Sequence, residues 1–171
     1  MTRPSPLNVM ARDADSVLTG LLDRCVEIER VDSIEDVRPL LARRSPAGPV
    51  TLDLLGHSTT AARLLRLGRT VIDMCDPRVA RFFQELADDR ILDRAGVVAL
   101  RLLGCETATM PGGQYTMRRL SSTLKKPVFG SRKPLGRCHH DARGFDPAFE
   151  DLLVEAGSLP RRLVCPSRQS R

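Results

Sequence analysis

The 171-residue sequence has no tryptophan, one tyrosine and five phenylalanines. With so few aromatic rings, a base-stacking platform of the single-strand-binding kind has little material. No apolar run approaches the roughly 20 residues that span a bilayer. Residues 1–13 carry Pro4 and Pro6 where a signal peptide would have a basic and then an apolar stretch. That start predicts a cytoplasmic chain. No CxxC occurs, and nothing matches GxxxxGK(S/T), GxGxxG or HExxH, which removes the common redox, nucleotide and zinc-protease motifs. Five cysteines, Cys25, Cys75, Cys105, Cys138 and Cys165, form an odd set without framework spacing and argue against a disulfide-built secreted scaffold.

Lysine is also scarce. Only Lys125, Lys126 and Lys133 occur, so 27 − 3 = 24 of the basic residues are arginine. GC-rich coding yields that bias by itself, and the net charge of +6 is correspondingly weak support for a nucleic-acid partner. The 42% hydrophobic and 28% charged composition is that of an ordinary globular domain. A chain of this length buries about 70% of its unfolded surface around one core. The expected organisation is a flexible start over residues 1–5, one domain over 6–160, and a frayed basic tail over 161–171 with a short edge strand at 163–165.

Hydrophobic periodicity divides the domain into alternating strands and helices. Strands are expected at 6–10, 25–31 (with Val26 and Ile28 alternating against Glu27 and Glu29), 50–56, 97–104 and 127–130. A first helix is capped by Asp15 or Ser16 and turns Val17, Leu18, Leu21 and Leu22 to one side. A second opens at a Ser33/Asp36 capping box and contains Pro39. Residues 63–73 read as a hairpin turning near Gly68. Asp76 and Pro77 open a helix with Val79, Phe82, Phe83 and Leu86 on one face. Further helices run through Met117, Leu120 and Leu124, and from Asp146 and Pro147 through Phe149, Leu152 and Leu153. The alternation predicts a three-layer α/β/α fold around a mostly parallel sheet.

Two strand ends echo each other, Leu54-Leu55-Gly56-His57 and Leu102-Leu103-Gly104-Cys105. Open parallel sheets gather their chemistry outside the carboxyl ends of the strands. If these strands are neighbours, about 4.8 Å apart, His57 and Cys105 meet there as a general base and a thiol nucleophile. His57 would take the thiol proton and return one to the leaving amine. Backbone amides around Ser58, Gly104 and Cys105 would hold the oxyanion.

These residues resemble the two motifs of the caspase-like clan of cysteine peptidases, especially bacterial CHAT domains and related short caspase-like domains. In that clan a histidine follows the third strand and a cysteine the fourth, and here the separation is 105 − 57 = 48 residues. The resemblance covers most of residues 6–165. It implies a caspase-like three-layer fold, a His57/Cys105 dyad that cleaves a protein or peptide substrate without a cofactor, and an activating protein partner. Ser58 stands where the pattern has glycine, and Glu106 adjoins the cysteine.

Other readings use the same residues. Gly56-His57-Ser58-Thr59-Thr60 resembles the GxSxG elbow of serine α/β-hydrolases, with Ser58 attacking. Cys138-His139-His140 is no zinc site by spacing, because adjacent residues cannot easily point at one ion. This loop is instead expected at the site mouth, with His139, His140 and Asp141 touching substrate. Eight basic residues between Arg118 and Arg143, against Asp141 alone, would suit a polyanion. A non-catalytic caspase-like module binding an acidic protein or nucleic acid is the rival to the enzyme.

Overall fold

The computed structural model describes residues 4–22, 25–45 and 48–160. The strands are β1 (Ser5–Ala11), β2 (Ile28–Val31), β3 (Val50–Leu55), β4 (Arg66–Leu67), β5 (Thr70–Val71), β6 (Val97–Leu103), β7 (Val128–Ser131), β8 (His140–Asp141), β9 (Gly144–Phe145) and β10 (Leu153–Glu155). The helices are α1 (Ser16–Thr19), α2 (Val37–Ala42), α3 (Pro77–Asp88), α4 (Ile91–Arg94) and α5 (Pro111–Leu124). Six strands form one sheet in the order β10-β7-β6-β3-β1-β2, parallel except for β10. The chain is thus an α/β protein with a mostly parallel central sheet. No helix among the described residues is long and apolar enough to cross a membrane.

Side-chain alternation decides what each face packs. Val9, Leu54, Leu100 and Leu102 join α2, α3, α4 and α5 in the larger core, where Phe82 and Phe83 meet edge to face. Met10, Leu55 and Leu103 turn the other way, toward Leu18, Leu22, Leu135 and Phe145. The placement of α1 opposite the other helices follows from handedness. From β1 the chain steps to β2 on one side, whereas the steps from β2 to β3, β6 and β7 run in the opposite direction. Right-handed crossovers therefore put the first connection on one face and the later ones on the other.

The expected three layers are complete on one face only. The second face is covered by the four-residue α1 and by the connection 132–152, which contains the β8-β9 hairpin. The helix expected through Phe149 to Leu153 is a 3-10 segment, Pro147–Leu152, with a non-helical φ of −111° at Phe149, and Leu153 already belongs to antiparallel β10. None of its three apolar residues is fully buried. Three boundaries also move. Ser5, expected in a flexible start, opens β1; β2 starts at Ile28; and α1 is so short that Val17 is 67% exposed while Leu18 is buried. The Ser33/Asp36 capping box is present, and Gly68 turns the β4-β5 hairpin with φ of +56°. The expected tail and the strand at 163–165 lie outside the described residues.

One row of the second face breaks the apolar rule for central parallel strands. Asp53 of β3 is fully buried and receives Arg101 of β6 side-on, Nε to Oδ1 at 2.7 Å and Nη2 to Oδ2 at 2.5 Å. Thr51 Oγ1 accepts from the same Nη2 at 3.2 Å, and the Phe145 ring lies 5.4 Å from the guanidinium carbon. Removing one partner strands a buried charge, whereas replacing both does not. Arg101→Met should therefore cost about 3–5 kcal/mol in urea unfolding, and Asp53→Leu added to it should restore most of the loss. A single variant as stable as the parent would show that the pair contributes nothing.

Candidate functional site

β3 and β6 are adjacent and in register, with Leu55 opposite Leu103. His57 and Cys105 each follow by two residues, so both stand at the carboxyl edge of neighbouring strands, but no hydrogen bond joins their side chains among the described residues. The loop after β6 is anchored to the end of β7 by a buried hydroxyl pair. Thr107 Oγ1 donates to Leu102 O at 3.0 Å and accepts from Ser131 N at 2.9 Å, while Ser131 Oγ donates to Gly104 O. This ties down the backbone on both sides of Cys105, whose side chain remains partly accessible.

His57 is oriented by a residue that the sequence suggested only as a helix cap. Asp15 does cap α1, accepting from Leu18 N through Oδ1 at 2.9 Å. Its second oxygen, Oδ2, lies 2.9 Å from His57 Nε2. A carboxylate only accepts, so Nε2–H donates and the lone pair of the neutral ring is on Nδ1. The Leu18 N–H, reinforced by His57, holds the Asp15 carboxyl below its ordinary value. Asp15 leaves the end of β1 and His57 the end of β3. Strand order reverses between these two, the topological switch point at which open α/β sheets bind ligands. That position, not the local sequence, is the signal that could have found Asp15.

The glycine expected after the histidine is Ser58, and Gly104 supplies the missing space. A Cβ at 104 would lie 2.6 Å from Ser58 Oγ and 2.7 Å from Leu65 Cδ1. Ser58 Oγ is buried without a hydrogen-bond partner, which gives the hydrolase-elbow reading neither a base nor an open approach. The N–H groups of Ser58 and Cys105 make no hydrogen bond among the described residues. They are available donors for a developing oxyanion. Gly104→Ala should lower stability by about 1–3 kcal/mol, and Ser58→Gly in the same chain should recover part of it. Equal stability of Gly104→Ala and the parent would show that the site yields without strain.

Glu106, the residue after Cys105, is held in an ion pair. Its Oε2 pairs with Arg63 Nη2 at 3.1 Å, and both residues have left-handed backbones, with φ of +59° and +53°. Left-handed backbone is costly for residues with a Cβ, so the pair joins two strained turns at the site mouth.

Of the residues expected at the site mouth, His139 and His140 make no hydrogen bond to His57 or Cys105 among the described residues. His139 packs on Phe149 and His140 on Phe145, so the two rings face different partners. Asp141 lines a cleft on the second face of the sheet, away from the carboxyl edge. No group of three His, Cys, Asp or Glu side chains among the described residues is arranged to hold a metal ion. The basic segment is also divided. α5 returns from the carboxyl edge to the amino edge, so Lys125 and Lys126 lie at one end of the sheet and Arg132, Lys133 and Arg137 beyond the other. Lys126 pairs with Asp93, and Arg118 donates to Leu159 O.

His140 Nδ1 donates to Gly136 O at 3.1 Å, which leaves Nε2 as a buried lone pair without a partner. Burial lowers this imidazole below its ordinary 6.5, with His139 and Arg101 adding to the shift and Gly136 O and Asp141 opposing it. The folded chain therefore resists a proton that the unfolded chain accepts. Stability from this residue is present above the ordinary value of 6.5 and declines as the pH falls below it toward the lowered value of the folded chain. Thermal unfolding across that range should show the decline, and His140→Gln should flatten it; an identical profile in the variant would remove His140 as the cause.

Compared with known proteins, the chain matches no family model, and no curated protein is significantly similar to it.

Proposed function

We propose that this chain is a caspase-like cysteine peptidase in which Cys105 is the nucleophile, His57 the general base and Asp15 the residue that orients His57. The observation that carries the reading is the Asp15–His57 hydrogen bond at the switch point, one strand from Cys105. It leaves Nδ1 of the histidine for the thiol. His57 accepts the thiol proton as sulfur bonds to the peptide carbonyl carbon. The carbonyl oxygen becomes an oxyanion facing the Ser58 and Cys105 amides. When the C–N bond breaks, His57 gives its proton to the leaving amine. Water activated by the same ring hydrolyses the thioester and frees the thiol. The exposed basic residues Arg132, Lys133 and Arg137 flank this edge and suit an acidic partner or substrate segment.

The rival, a non-catalytic module of the same architecture, is favoured by one feature, the Glu106–Arg63 ion pair beside the thiol. The two part on thiol reactivity. On folded protein near neutral pH, iodoacetamide should label Cys105 about tenfold faster than the exposed Cys25 and Cys138. His57→Ala should remove most of that advantage and Asp15→Asn part of it. Cys75 is disulfide-bonded and does not compete. Peptide-library cleavage should vanish in Cys105→Ala. Equal labelling of the three thiols, unchanged by His57→Ala, would leave the non-catalytic module.

A further inference from the structure

The second face of the sheet carries a cleft of about 420 Å³ at the amino ends of β1, β3 and β6, outside the proposed peptidase site. Its walls are largely apolar, among them Pro6, Val98, Phe129, Phe145 and Leu153. Val98 is 40% exposed because the β3-β6 register shifts at this point and leaves it without a partner residue. The size lies within the 300–1,000 Å³ range of small-molecule sites.

Arg101 lines the cleft and is only 7% exposed. Asp53 takes its Nε and Nη2, and Thr51 takes Nη2 again. Nη1 has no hydrogen-bond partner, although its two N–H groups are among the strongest donors a protein has. Water reaches Nη1 through the cleft, and the acceptor of a bound molecule would take the place of that water. Because Asp53 already neutralises the guanidinium, the matching group is an uncharged acceptor. At the walls Asp141 and Glu150 set two carboxylates against one further cation, Arg143, a balance that does not favour an anion.

We propose that this cleft binds a small, mainly apolar molecule that presents a neutral carbonyl oxygen to Arg101 Nη1. The apolar body lies against Val98, Phe129 and Phe145, and the carbonyl accepts the Nη1 hydrogen bond. This site is independent of Cys105 and His57.

A matched pair of probes tests it. In NMR titrations of the full chain, 2-acetylnaphthalene should bind saturably and shift the amides of β3 and β6 that border the cleft. The isosteric hydrocarbon 2-ethylnaphthalene, which lacks the acceptor, should bind at least about fivefold more weakly, the loss of one hydrogen bond to a charged donor. Val98→Trp fills the cleft without touching the Asp53–Arg101 pair and should abolish binding of both probes. Arg101→Lys, if it folds, should erase the difference between them. Equal affinities for ketone and hydrocarbon in the parent, retention of binding in Val98→Trp, or shifts confined to the carboxyl edge would each overturn the assignment.

Discussion

The parallel pairing of β3 with β6 is the constraint on which the rest of the molecule depends. Asp53 and Arg101 are 48 residues apart and joined within this pair, and His57 and Cys105 have the same separation. The register that closes the buried ion pair is therefore the register that sets the histidine level with the cysteine. It is established at the start of β6, where the irregularity at Val98 shifts the pairing by one residue. A slip by one residue would turn every side chain of a strand to the opposite face. The ion pair opposes that slip, because Asp53 or Arg101 would be carried unpaired into the larger core.

The two faces of the sheet divide the work. Four helices on one face supply most of the apolar burial and hold the strands as a rigid platform. The other face is packed at the carboxyl end by α1 and the connection 132–152, and it is grooved at the amino end. Face and edge communicate through single residues. Asp15 caps the helix of the thinner layer with one oxygen and orients His57 with the other. Phe145 seals Leu55 and Leu103 and also lies against the Arg101 guanidinium.

The carboxyl edge is built from loops, yet each is tied to the sheet. Thr107 and Ser131 exchange hydrogen bonds beneath Cys105, and Ser58 packs its hydroxyl against Gly104. The left-handed turns at Arg63 and Glu106 meet in an ion pair. These contacts fix the backbone around the thiol while leaving the imidazole half in solvent.

Much of this was determined by local sequence. Apolar runs at 50–56 and 97–104, Asp76 with Pro77 ahead of a 3.6-residue stripe, and the Ser33/Asp36 box are signals that neighbouring residues alone can satisfy. Strands and caps appear where those signals stand. The two Gly-His and Gly-Cys strand ends were legible for the same reason, since a polar residue closing an apolar run marks a carboxyl edge. What only the tertiary structure decided involves partners distant in the chain. Asp15 reads as a cap until β3 lies beside β1. Asp53 and Arg101 read as interruptions in apolar strands until the register brings them together. Phe149 to Leu153 reads as a helical stripe, but the open edge of β7 accepts Leu153 as an antiparallel strand, because hydrogen bonds along that edge replace those the helix would have made.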